Sequence, residues 1–284
     1  MIPNIPLEEL ARRYNNGLAV PDWRETLLPR WQQESEAIRT NAGGARNVAY
    51  ASGERNLLDV FTPKGDAPAN GWPALFFIHG GYWQYLWKDD WSVIAKPFVE
   101  SGYAAVIVGY TLCPQTTIRG IATEIESAIA HVWTHAKALN INRDRLALAG
   151  HSAGGHLTAW CMTTDWNSRG LPQTPFVAAT AISGLFDLEP LVPIYLNDAL
   201  KLTHEEALAM SPAYRERRAD CAFTACVGGA ELEEFHRQNA LIGEHWQGVH
   251  EWTLPELNHF TIIDQLTRSD TALFAHIARP LSER

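Results

Sequence analysis

Residues 145–163 read RLALAGHSAGGHLTAWCMT, an apolar run that breaks at a glycine-bracketed serine and then resumes at helical spacing. This stretch constrains the fold more than any other. The first part, RLALAG, reads as a short buried strand, and Leu157, Trp160 and Cys161 recur as on one helix face. Between them Gly150, His151, Ser152, Ala153 and Gly154 spell G-x-S-x-G. In a strand-turn-helix setting that pattern makes a turn so tight that small residues must flank the serine, and it exposes the hydroxyl as a nucleophile. A glycine-rich turn with an incidental serine is the alternative, and the flanking elements weigh against it.

The rest of the chain supplies the matching framework. RNVAYA (46–51) and NLLDVFTP (56–63), separated by SGE, predict a hairpin. Strands then alternate with helices: PALFFIHG (73–80), a helix over 88–102, AAVIVGY (104–110) and a long amphipathic helix over 117–139. After the 145–150 strand and its helix come strands at 176–184, 221–229 and 249–255, with helices at 232–246 and at the C-terminal end. Such alternation predicts an α/β fold, a mostly parallel sheet covered by helices on both faces, with the hairpin adding antiparallel edge strands. Residues 6–40 read as two helices joined through Pro21, an N-terminal helical extension over about 1–45. Residues 185–220 break the rhythm with short helical pieces and prolines, too long for a plain connection, and are expected to form a small cap over the sheet's C-terminal edge. No linker divides the chain, so residues 1–284 are expected to form a single domain.

Composition narrows the function. Against 23 Lys and Arg stand 32 Asp and Glu, a net charge of −9, with no basic block. That balance argues against nucleic acid or an anionic membrane surface as a partner. Cys113, Cys161, Cys221 and Cys226 form no CxxC pair and read as free thiols of a reducing compartment. No basic start with an apolar stretch opens the chain, and no run reaches a membrane span, so a cytoplasmic protein is expected. A homodimer is the one self-association the reading leaves open.

A serine nucleophile needs three further parts. The first is a set of N–H donors for the oxygen that turns negative. HGGYW (79–83), at the end of the 73–80 strand, offers Gly81 and Tyr82, and Ala153 follows the serine. The second is a base. His259, in ELNHF after the last strand, occupies the position where an α/β-hydrolase carries its histidine. His236, His245, His250 and His276 read as solvated or packed side chains, while His79 and His151 neighbour the chemistry as loop-orienting residues and His156 starts the helix after the serine. The third is an acid, and Glu231 in VGGAELEEF lies just past the 221–229 strand. Glu233 and Glu234 suit the following helix N-terminus. Asp187, in SGLFD after the 176–184 strand, is the rival acid, with an N-cap as its structural role. HVWTH (131–135) lacks the glutamate of a zinc motif, so neither metal nor other cofactor is expected. Among the aromatics after the HGG turn, Trp87 and Trp91 read as packing; Trp83 and Tyr82, with His151, are expected to line the substrate pocket.

With these parts in place, the chain resembles the arylformamidase (kynurenine formamidase) branch of the α/β-hydrolases over essentially its full length. The likeness runs through YNN near the N-terminus, FIHGGYW, KDDW, LCP at 112–114, AGHSAGGHL, ISGLFDLEP, SPA, VGG with EEFHRQ, and NHF. It implies that HGG-x-W supplies the oxyanion hole, here Gly81 and Tyr82, and that Ser152, Glu231 and His259 cleave a formyl amide. The implied partner is a small aryl amide or ester, N-formyl-L-kynurenine first, with a broad short-acyl carboxylesterase as the alternative and a catalytically dead, ligand-binding hydrolase fold behind both. In one respect the chain departs from the pattern: relatives usually carry aspartate in the acid loop, where this chain has Ala230 and Glu231.

Overall fold

Eight strands form one sheet in the order β1-β2-β4-β3-β5-β6-β7-β8. They are β1 (Val48–Ala49), β2 (Leu57–Phe61), β3 (Trp72–Ile78), β4 (Ala104–Val108), β5 (Ile141–His151), β6 (Ala178–Ile182), β7 (Ala222–Gly228) and β8 (Val249–Leu254). This computed structural model describes residues 5–282. The first four residues of the extension expected over 1–45, and the last two of the domain expected over 1–284, lie outside it. The predicted hairpin is β1 and β2, which pair antiparallel with each other, and β2 with β4; every other pairing is parallel.

Alternation within the strands explains why both faces are covered. Ala74, Phe76 and Ile78 of β3 enter one buried core, and Leu75 and Phe77 enter the other. Successive side chains point to opposite faces, so a strand apolar at every position needs helices on both sides. The first side holds α5 (Ile118–Thr134) and α6 (Ala153–Thr163), and the second holds α3 (Trp23–Asn41), α4 (Ala95–Glu100) and α10 (Ala272–Ser282). Helix α5 starts where the Thr117 side chain accepts a hydrogen bond from Gly120 N, and buries Ile118, Ile121, Ala122, Ile125 and Ile129 as a stripe. Every residue of α6 is buried, as befits a helix at the centre of the molecule.

The remaining helices are α1 (Leu7–Arg13), α2 (Asn16–Ala19), α7 (Asn197–Leu200), α8 (His204–Ala209) and α9 (Glu233–His245). The segment after β6 thus carries only short helices, α7 and α8 with 3-10 turns at Glu189–Leu191 and Pro212–Tyr214. One expected element is divided. The helix read over 88–102 is a 3-10 turn, Lys88–Ile94, followed by α4. Pro97 has no N–H to continue an α-helical ladder upstream, so it is accommodated in the first turn of a helix that begins at Ala95.

The 3-10 turn is also held by charge. Lys88, fully buried, donates to Asp59 Oδ1 at 2.8 Å, to Asp89 Oδ1 at 2.7 Å and to Asn47 Oδ1 at 2.8 Å. Arg39 of α3 pairs with Asp59 as well, and with Asp89 at 2.9 Å. This cluster ties α3 to β2 and to the turn before α4. Removing one member of a buried pair strands the other, which costs about 3–5 kcal/mol. Asp59→Ala should lower stability by about that amount, read as a lower urea midpoint at unchanged m-value.

Candidate active site

The parallel registers bring five strand ends to one edge. Ile78 of β3 lies beside Gly150 of β5, His151 beside Ile182 of β6, Ile182 beside Cys226 of β7, and Gly228 of β7 beside Leu254 of β8. The loops that follow therefore gather at the carboxyl edge, where open parallel sheets bind ligands.

Ser152 joins β5 to α6 with φ 56° and ψ −116°, a conformation that non-glycine residues rarely adopt. Its N–H donates to Ile182 O at 2.8 Å and its carbonyl accepts from His156 N at 3.0 Å, which fixes the strained turn. A Cβ at Gly154 would collide with the Ile78 carbonyl, so only glycine allows α6 to start against the end of β3. The serine is buried, and with His259 it lines a cavity of about 410 Å³. No hydrogen bond joins Ser152 Oγ to His259 among the described residues. Such contacts are often long until a ligand closes the site.

His259 follows β8, and its Nδ1 donates to Glu231 Oε2 at 2.7 Å. The Glu231 side chain is fully buried. Its other oxygen, Oε1, accepts from Gly228 N at 2.7 Å and from Ser183 Oγ at 2.5 Å. Glutamate is longer than aspartate by one methylene, and this double clamp from β7 and the end of β6 fixes where its carboxylate stops. With Nδ1–H committed to Glu231, a neutral ring keeps its lone pair on Nε2. His151, fully buried, donates from Nε2 to the His259 carbonyl at 2.9 Å and anchors that loop. Burial, with His259 close by, holds the His151 pKa well below the usual histidine range, so the ring stays neutral.

The HGG turn is a run of left-handed residues, with φ 110° at Gly81, 47° at Tyr82 and 57° at Trp83. A Cβ at Gly81 would clash with the Tyr85 carbonyl. Consecutive N–H groups in such a turn make an anion-binding concavity. The N–H groups of Gly81, Tyr82 and Ala153 have no protein acceptor among the described residues. The Tyr82 hydroxyl donates to Tyr14 O at 2.7 Å, so the extension braces this loop.

Over residues 58–186 the chain matches the family model described as BD-FAE. It is 31% identical to the kynurenine formamidase of Danio rerio, over 92% of this chain and 90% of that relative. The chain belongs to the kynurenine formamidase family. The family's protein from Salmo salar is 29% identical over 93% of this chain and 92% of its own length. A crystal structure from Silicibacter sp. tm1040, solved under a provisional thioesterase name, superposes with a TM-score of 0.83 at 32% identity. That pair covers 95% of this chain and 99% of the other. A Pyrobaculum calidifontis esterase, at 16% identity and a TM-score of 0.69 over 99% of both chains, shares the fold.

Within this candidate site, Trp83 departs from expectation. It does not line the cavity: its side chain is fully buried and meets His156 edge-on at 5.1 Å. Its left-handed backbone turns it inward beneath the loop, while its carbonyl accepts from Cys113 N at 2.8 Å. Trp91, expected only to pack, does pack on Trp31 at 5.5 Å and also reaches the cavity. Tyr82 and His151 are in the lining, as are Trp23 and Phe260, stacked at 4.3 Å. Asp187 lies elsewhere: its Oδ1 accepts from Glu189 N at 3.1 Å and its Oδ2 lies 3.4 Å from Arg237. None of His236, His245, His250 and His276 lines the cavity, and His276 instead meets Thr224 Oγ1 at 2.8 Å. His131 and His135 stack on each other at 4.2 Å, away from the site. The four cysteines are free, with Cys221 half-buried and the others buried. Among the described residues no three His, Cys, Asp or Glu side chains gather as metal ligands, and no helix is long and apolar enough to cross a membrane.

Two groups of residues at the site escape a reading of the sequence. Ser183, clamping Glu231, is an ordinary serine after a strand. Asn16, Trp23 and Arg24 come from the extension, whose only sequence signal is the YNN shared with the family.

Proposed function

We propose that this hydrolase uses Ser152 to cleave a formyl-arylamide, N-formyl-L-kynurenine to L-kynurenine and formate. The observation that carries the reading is the Glu231–His259 pair at 2.7 Å, on a cavity that also holds Ser152 and unpaired backbone N–H groups. His259 Nε2 takes the Ser152 proton as Oγ attacks the formyl carbon. The oxyanion settles on the N–H groups of Gly81, Tyr82 and Ala153. The imidazolium, stabilised by Glu231, returns the proton to the aryl nitrogen and the arylamine leaves. Water, deprotonated by His259, then releases formate from the formyl-enzyme. In this reading residues 1–284 act as one cytoplasmic hydrolase domain, with residues 1–45 and 185–220 contributing walls to the cavity.

A short-acyl carboxylesterase is the second reading, favoured by the shared fold with the Pyrobaculum esterase and by an aromatic-rich cavity. A fluorophosphonate probe should label the wild type and fail to label Ser152→Ala. Comparing kcat/KM for N-formyl-L-kynurenine and p-nitrophenyl acetate separates the two readings. The formamide should win; a large preference for the ester would assign the second.

A further inference from the structure

The N-terminal wall of the cavity carries polar groups that the chemistry above does not use. Asn16 is 5% exposed and lines the cavity, and both its Nδ2 and its Oδ1 are buried without a hydrogen-bond partner. A buried amide left unpaired is costly, and buried side-chain amides normally find partners. Arg24, on the first turn of α3, lines the same cavity and has no ion-pair partner among the described residues. Its guanidinium lies 5.1 Å from the centre of the Trp23 ring, an arrangement that leaves the N–H edges of the fork available. The neighbouring carboxylates of Asp22 and Glu25 are not part of the lining.

The wall is fixed at both ends. Tyr14 donates to Glu234 Oε2 at 2.9 Å and accepts from Gln238 Nε2 at 3.1 Å, so α9 holds one end. At the other end Trp23 stacks on Phe260, next to His259. Arg30 pairs with Asp264 at 2.7 Å and anchors α3 behind it. Asn16 and Arg24 are therefore presented on a rigid surface, as a binding site needs.

We infer that the segment from Asn16 to Arg24 is the subsite for a zwitterionic amino-acid group on the substrate, with Arg24 pairing its carboxylate and the Asn16 carboxamide meeting its ammonium through Oδ1. The inference rests on the formamidase reading and assigns the residues that hold the amino-acid end of that substrate. An unpaired acceptor, an unpaired donor and a free cation on one wall call for a ligand that offers a donor, an acceptor and a negative charge together. An α-amino acid offers all three, and a simple acyl ester offers neither the donor nor the charge. At about 410 Å³ the cavity falls within the size range of small-ligand sites.

The test compares N-formyl-L-kynurenine with 2-formamidoacetophenone, which keeps the formamide, ring and ketone and lacks the amino-acid end. Arg24→Met and Asn16→Leu should each lower the ratio of the two kcat/KM values about tenfold or more, mainly through KM for the charged substrate. Asn16→Leu should also unfold at no lower temperature than wild type, because it removes a buried unpaired amide. Should it fail to fold, Arg24→Met, at an exposed position, decides the matter. A ratio unchanged in the folded variants, or a wild type that handles both formamides equally, overturns the subsite and leaves the formamidase reading standing. A wild type that cleaves neither formamide overturns that reading, and the subsite with it.

Discussion

Glu231→Gln should give a folded protein whose kcat is lowered by several orders of magnitude, up to about 10⁴. The glutamine can still occupy the clamp formed by Gly228 N and Ser183 Oγ. It brings no negative charge to stabilise the imidazolium, and its amide can turn an N–H toward Nδ1 and enforce the wrong tautomer. Ser183→Ala should be milder, with kcat lowered about tenfold, since one of the two clamps on Oε1 remains. Asp187→Asn should keep substantial turnover and lose mainly stability, because its carboxylate serves Glu189 N and Arg237. Single-turnover rates of the three variants, each checked by circular dichroism, give the ranking. Were Asp187→Asn the inactive one and Glu231→Gln active, the acid would have to be Asp187.

What the sequence reveals and what it hides have the same physical origin. Order along the chain is legible because parallel α/β connections are local: each strand is followed by the helix that covers it. Hence the serine turn, the HGG turn, the acid loop and the histidine loop can each be placed after a named strand, and the registers at Ile78, His151, Gly228 and Leu254 bring those ends to one edge. The direction of an individual side chain within a turn is not legible. Trp83 follows two left-handed residues and is left-handed itself, so the alternation that would aim it at the cavity does not apply. The walls contributed from a distance are hidden for another reason. Asn16 meets the cavity only because Tyr14 and Trp23 dock on parts of the chain more than two hundred residues later. No periodicity records such a contact. The split of the 88–102 helix lies between these cases: Pro97 is visible in the sequence, while the buried Lys88 cluster that fixes the preceding turn needs Arg39 and Asp59 from elsewhere.

Acid should destabilise this protein well before its surface carboxylates are neutralised. Three fully buried histidines near the site resist protonation. Burial lowers His79 to about 3, with Arg55 adding to the effect, and lowers His156 to about 4. His151 is held well below the usual range by burial and by nearby His259. In the unfolded chain each titrates near 6.5. Between pH 6.5 and 4 the unfolded state therefore binds protons that the folded state refuses. The stability that neutral burial allows is complete above 6.5, and it declines as the pH falls toward the folded values. At pH 5 His79 and His156 each contribute a loss of about 2 kcal/mol, or roughly 4 kcal/mol together, at 1.36 kcal/mol per unit, and His151 acts in the same direction. Against a typical stability of about 5–15 kcal/mol, that is a large share. Urea unfolding at pH 7.5 and 5.0 should show a midpoint falling by a corresponding fraction. His156→Gln isolates one contribution, because its amide nitrogen can keep the hydrogen bond to Met210 O, 2.8 Å from His156 Nε2, while no longer titrating. That variant should lose about 2 kcal/mol less stability between the two pH values than the wild type. Equal losses in both proteins would show that buried imidazole at this position does not set the acid limit.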